Sequence, residues 1–252
     1  MIVARQAAGV AEGALAGLFP NPAIGIPQAG GLAVFDDFLG AFSKTTAISE
    51  QNWQVTDVAG GVSVGVVVPS ASTEIGLLRL YTAGANGDGG NLTMPNGPRG
   101  MPAGMMWCAK VRVADTTNLH AWSGFVDGAG IVPTIAGTDD FVGVRVINTG
   151  STANWYGVCK DSSGESTVDL GVLGGTTWRT FGFIVGESSI QFYLIDASDY
   201  RRGPVWTATG SAVGSHIPTG TMLPCGLGVR ADSAATKQAE VDYWAIGGRV
   251  AR

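Results

Sequence analysis

The sequence predicts an all-β protein: two antiparallel sheets stacked as a jelly roll or related sandwich, preceded by an extended N-terminal arm. Three observations carry this. From Phe35 onward, short alternating or wholly apolar runs recur, separated by Gly, Asp, Asn and Pro. After residue 35 no helical pattern exceeds two turns, and nothing repeats at a period of about 20–50 residues. The composition, with 39 Gly among 252 residues, 45% hydrophobic and 14% charged, supplies a large core and has ample apolar content against general disorder.

Residues 1–34 read as the arm, with Arg5 and Glu12 as their only charges. Residues 3–19 place Val10, Ala14, Leu15 and Leu18 on one side of a short helix that its glycines make marginal. Pro20, Pro22 and Pro27 then impose extended chain through PNPAIGIPQAGG. Glu12 and the glycines interrupt the apolar stretch, which argues against a secretory signal. A low-charge apolar arm gains most burial by wrapping a partner, so Val10, Leu15, Leu18, Phe19, Ile24 and Ile26 are the expected docking residues.

The sandwich is expected over 35–252, beginning with FDDFLG. Strands are predicted at 61–69, 76–82, 105–113, 120–127, 140–147, 154–161, 166–172, 178–186, 189–196, 205–210, 223–232 and 240–248. In AKVRV, Ala109, Val111 and Val113 share one face and Lys110 and Arg112 the other, as in a half-buried antiparallel strand. Trp178, Phe181, Phe183, Phe192 and Tyr193 bring bulky rings onto one hairpin. In SIQFYLID both faces are apolar, so that strand is expected to be central or covered on both sides. KDSSGES (160–166) and VGESS (185–189) read as hairpin turns. Residues 84–102 read as a long Gly/Asn/Pro contact loop, with Asn91, Met94 and Arg99 as its candidate partner-binding residues.

The function classes narrow quickly. A net charge of −5 leaves no electrostatic footprint for nucleic acid, and no run is long and apolar enough to span a membrane. Cys108, Cys159 and Cys225 are far apart, in no metal spacing, and read as small buried hydrophobes. With only His120 and His216, the chain is poor material for a zinc site or a triad. There is no Gly-x-Ser-x-Gly elbow, and alternation points His120 and Ser123 in HAWSG to opposite faces. Neither a metal nor a cofactor is expected.

FDDFLG (35–40), WCAKVRVADTTNLHAWSGFVD (107–127), TTWRTFGFIVGESSIQFYLID (176–196) and the closing stretch 217–249, with its Val-Asp-Tyr, together resemble concanavalin A-like lectin and glucanase sandwiches. The resemblance spans about residues 35–250 and is specific to fold rather than to function. Domains of this style are common in tailed-phage virion proteins, among them capsid decoration and cement proteins. It therefore implies a non-enzymatic virion-surface protein, assembled in the bacterial cytoplasm. Its partners would be the major capsid protein or other virion proteins, and it would self-associate, as a homotrimer in the usual decorating arrangement.

Two alternatives follow from the same resemblance. Glucanases of this fold carry Glu-x-Asp-x-x-Glu on one strand. Glu240 and Asp242 match its first two places, but the third is Ala245. A retaining glycosidase needs two carboxyl groups about 5–5.5 Å apart, so no catalytic residue is assigned. Alternation here would set Glu240, Asp242 and Trp244 on one face and Val241, Tyr243 and Ala245 on the other. A lectin-like glycan module would use Asp140, Asn154 and Trp155. Asp and Asn are also ordinary turn formers. Most of the seven tryptophans sit in predicted strands and read as core, whereas Trp155 follows a Gly/Ser/Thr turn and is the one to check for exposure.

Overall fold

The computed structural model describes residues 31–36, 54–59, 62–67, 77–94, 104–126, 140–187, 189–195, 206–209, 216–218 and 225–249. In chain order the strands are β1 (Gly31–Asp36), β2 (Gln54–Ala59), β3 (Val62–Val67), β4 (Leu77–Thr82), β5 (Gly89–Thr93), β6 (Met106–Val113), β7 (Leu119–Val126) and β8 (Phe141–Asn148). They continue as β9 (Asn154–Asp161), β10 (Gly164–Leu173), β11 (Arg179–Val185), β12 (Ser189–Ile195), β13 (Trp206–Thr209), β14 (Cys225–Ala231) and β15 (Gln238–Arg249).

The strands form two antiparallel sheets. One has eight strands in the order β13-β12-β11-β6-β15-β4-β3, with β1 added alongside β15. The other has seven, in the order β10-β9-β8-β7-β14-β5-β2. The twelve sequence-predicted strands are all present. β2 was not anticipated. β1 opens at Gly31, ahead of Phe35, and pairs with the far half of β15 from Gly31↔Arg249 to Asp36↔Trp244. β5 lies inside the stretch 84–102 that composition marked as loop. Its glycines let it pair closely with β14 and β2, because a strand with few side chains can be flanked tightly on both sides.

Between the sheets lies one continuous core. Phe183 and Phe192 are direct cross-strand partners with ring centroids 5.6 Å apart. Phe183 also stacks on Trp107 at 5.1 Å and meets Phe125 of the opposite sheet at 6.0 Å. Such rings combine large buried area with preferred tilted or offset geometry. Ala109, Val111 and Val113 point into this core while Lys110 and Arg112 point out, as alternation required.

One predicted facing is corrected. A register shift between Val241 and Tyr243 interrupts β15. The extra residue reverses the alternation beyond it, so Trp244 joins Val241 and Ile246 in the core instead of sharing a face with Glu240.

Candidate functional site

The outward face of the seven-stranded sheet is the natural place for a site, because its central strand β7 turns His120, Trp122, Gly124 and Val126 away from the main core. The strand register aligns Asp169, Tyr156, Arg145, Trp122, Gly228 and Asn91 in one row across six strands. In the next row Gly143, Gly124 and Gly226 stand side by side. A Cβ on Gly228 would overlap Trp122 Nε1 and Asn91 Oδ1, so the close packing of these side chains requires glycine there. Trp122 meets Phe141 edge to face at 5.7 Å, and the two form a second apolar cluster with Val126 and Val158. Arg145 holds Glu165 in a fork, Nη1 to Oε2 at 2.8 Å and Nη2 to Oε1 at 2.6 Å. The fork bridges β8 to β10 across β9. The face is therefore apolar and closed at its centre and ionic toward its flank.

Two polar groups at the centre stand out. Asn91 Oδ1 and Trp122 Nε1 are buried and have no hydrogen-bond partner among the described residues. Nearby, His120 Nε2 lies 2.6 Å from Asp232 Oδ2, and Arg230 Nε lies 3.6 Å from Asp232 Oδ1. Burial pushes the His120 imidazole below its ordinary value, outweighing the pull of Asp232 in the other direction.

Glu240 and Asp242 are committed to structure. Glu240 lies in the other sheet, on its outward face, and is 2% exposed. Its two oxygens take Arg79 (Nε to Oε1, 2.6 Å) and the Arg112 guanidinium. Asp242 pairs with Lys110, and Lys110 and Arg112 both lie over the Trp178 ring. The Glu-x-Asp of the last strand is thus the middle of an ion-pair row.

Ser163, His216 and Asp161 do come together, a grouping that their sequence separation hides. Ser163 Oγ and Asp161 Oδ1 each lie 3.1 Å from the same ring nitrogen, His216 Nδ1. A base relay needs serine and carboxylate on different ring nitrogens, so this trio is not a nucleophilic triad.

The sequence-predicted residues fare unevenly. Trp155 is 1% exposed and packs on Phe181 at 5.2 Å. The alternation of β9 turns it inward, so it offers no ring face to a sugar. Asn154 faces outward, but its amide donates to both Asp169 oxygens at 2.9 and 2.8 Å. That bond and the Gly171 N–H hold the Asp169 carboxyl below its ordinary range. Asp140 precedes β8 at the end where Phe141 pairs with Lys160, whereas Asn154 and Trp155 lie at the other end, so the three do not form one site. Asn91 and Met94 are buried, at 1% and 2% exposed. Asn91 belongs to strand β5 and Met94 to the core that follows it, so neither is a loop contact. Arg99, Val10, Leu15, Leu18, Phe19, Ile24 and Ile26 lie outside the described residues. His120, Trp122, Arg145 and Gly228 were missed as a group. Their meeting depends on register across β8, β7 and β14, which no single segment of the sequence displays. Among the described residues, no group of three His, Cys, Asp or Glu side chains could hold a metal ion.

No family model and no curated protein matches the chain. Solved structures do. The chain is similar to a β-1,3-glucanase from Mycobacterium marinum, at TM-score 0.56 and 15% identity over 87% of this chain and all of that one (100%). It is also similar to a pseudo β-1,3-glucanase of Mycobacterium tuberculosis, described as an immunostimulatory antigen, at TM-score 0.59 and 14% identity over 88% and 100%. A protein of unknown function from Shewanella oneidensis MR-1 matches at TM-score 0.58 and 14% identity over 88% of both chains. The fold is concanavalin A-like. Identities this low carry the architecture and leave the chemistry to the residues.

Proposed function

We propose that this chain is a non-enzymatic structural protein of a phage virion, which decorates or cements the capsid surface. The observation that carries the non-enzymatic part is the position of the carboxylates. The central strand of the seven-stranded sheet, Leu119–Val126, offers His120, Trp122, Gly124 and Val126 to its outward face and carries no carboxylate of its own for glycoside hydrolysis. The one glucanase-like pair, Glu240 and Asp242, is held by Arg79, Arg112 and Lys110 on the other sheet. The virion part rests on the apolar, low-charge arm with Val10, Leu15, Leu18, Phe19, Ile24 and Ile26, joined to a sandwich. Burial of such an arm on the major capsid protein or a neighbouring copy would clamp the joints of a shell, and a homotrimer would present several arms at once.

The test is co-sedimentation with purified undecorated shells. The full chain is expected in the pellet, and a variant lacking residues 1–30 in the supernatant. Equal pelleting of both would remove the arm from the mechanism. Pelleting of neither would remove the capsid. Incubation with β-1,3- and β-1,3-1,4-glucans is expected to release no reducing sugar, and any release abolished by Glu240→Gln would overturn the non-enzymatic reading.

A second reading, a glycan-binding module for host adsorption, draws on the likeness of the fold to solved glucanase and pseudo-glucanase structures. Glycan-array binding by the full chain would favour it over the shell.

A further inference from the structure

The turn joining β4 to β5 carries a chemistry of its own. Asn86 and Gly87 are its central residues, and the Asp88 N–H donates across it to the Ala85 carbonyl at 3.2 Å. Positive φ at Gly87 (90°), and not at Asn86, makes it a type II turn, which needs glycine in the second central place. Asn86 is exposed, as are Ala83, Gly84 and Ala85. Open space surrounds the Cβ position of Gly87, with no atom within 4 Å. Two backbone bonds staple this turn to the end of β14: Gly87 N–H to the Ala231 carbonyl and Ala231 N–H to the Asp88 carbonyl, each 2.8 Å. Inside the turn, Asp88 Oδ2 accepts the Ala85 N–H at 2.6 Å. Among the described residues, Asn86 is the one asparagine that glycine follows. That neighbour matters chemically, because glycine leaves its own nitrogen unshielded toward the preceding side chain.

We propose that Asn86 is a site of spontaneous deamidation, paced by the bond that holds Gly87 to Ala231. The Gly87 nitrogen gives up its proton to solvent and attacks the Asn86 side-chain carbonyl carbon, Cγ. The new N–Cγ bond closes a succinimide ring, and the Cγ–Nδ2 bond breaks with ammonia as the leaving group. Water then opens the ring at either carbonyl. One opening leaves aspartate. The other leaves isoaspartate, in which the main chain runs through the side-chain carbon. Water is the only co-reactant. While the Gly87 N–H donates to Ala231, its nitrogen is fixed in the turn, so ring closure waits until the turn lifts from β14. Exposed tips of this kind open far more readily than core strands. Isoaspartate lengthens the backbone between residues 86 and 87, so the bonds that staple the turn to Ala231 fall out of step. Either product adds a carboxylate close to Asp88, which is 5% exposed.

The test is storage of the full chain in mild alkali, folded and unfolded in guanidinium chloride, followed by proteolysis and mass spectrometry with fragmentation. Fragmentation separates Asn86 from the Asn96–Gly97 pair, which lies outside the described residues. Exchange of amide for acid at Asn86 is expected in the folded chain, roughly ten- to hundredfold more slowly than in the unfolded one. Asp88→Ala removes the acceptor of the Ala85 N–H and should quicken conversion in the folded chain about three- to tenfold. Equal rates in the folded and unfolded chains would overturn the control by Ala231. So would an Asp88→Ala rate equal to that of the wild type. No conversion at Asn86 over about a hundred half-lives of the unfolded chain would overturn the site itself.

Discussion

The outward face of the eight-stranded sheet is built from ions, and that of the seven-stranded sheet from rings and glycines. On the first, Arg79, Glu240, Arg112 and Trp178 run across neighbouring strands, and a buried carboxylate sits between two guanidinium groups. On the second, Trp122 and Phe141 pack over positions without side chains, and the Arg145–Glu165 ion pair bridges the flank. The two solutions differ in what they tolerate. An ion row depends on every member, since removing one leaves its partners buried and uncompensated. A ring over glycine depends on shape, and is harmed as much by added volume as by lost volume.

This contrast can be broken from either side. The largest effect is expected for Trp122→Ala, which deletes a fully buried indole. Urea unfolding should show a loss of about 3–5 kcal/mol, and a loss below about 1 kcal/mol would mean that this cluster does not hold its face. Glu240→Gln comes next. Arg79 and Arg112 are 34% and 21% exposed in their side chains, so water relieves part of the stranded charge and the expected loss is about 2–3 kcal/mol. Gly228→Ala should cost about 1–3 kcal/mol by forcing Trp122 and Asn91 aside. An unchanged midpoint there would show that the indole has room to move.

The smallest expected effect is a slope. His120 is held below its ordinary value in the fold. As pH falls through the ordinary imidazole value of about 6.5, the unfolded chain takes up a proton that the native state refuses. Stability should therefore decline from that pH down to the depressed native value. Midpoints measured between about pH 7.5 and 5 should fall less steeply in His120→Gln than in the wild type. Parallel curves would remove His120 from the acid response.

How much of this was legible beforehand follows from which patterns are local. AKVRV, FVGVRVI and FGFIV declare their strands and their faces through alternation alone, and the aromatic hairpin followed from the same rule. β5 did not, because GGNLT has the composition of a turn and becomes a strand only between β14 and β2. Trp155 follows a polar turn, yet its register in β9 sends it inward. Trp244 was placed on the wrong face because a single-residue bulge leaves no mark on the sequence. The candidate site was almost wholly hidden. Asn91, Trp122, Arg145 and Gly228 meet through strand pairing between distant segments, and no spacing rule within one segment reveals them. The mismatch at Ala245 was legible, and the placement of Glu240 and Asp242 in an ion row supplies its structural counterpart.

The position of β15 also bears on how the molecule is made. This strand pairs with β6 along one side and with β4 and then β1 along the other, so three strands depend on it for a neighbour. It leaves the ribosome after every other strand described here. Until it arrives, β11, β12 and β6 wait as one half-sheet and β3 and β4 as another, each with an open edge where the partner should be. Long-range pairing of this kind is slow to form, and open edges invite pairing with other chains. Yield in the cell should therefore respond to chaperone supply and growth temperature during synthesis, even for a protein that is stable once finished.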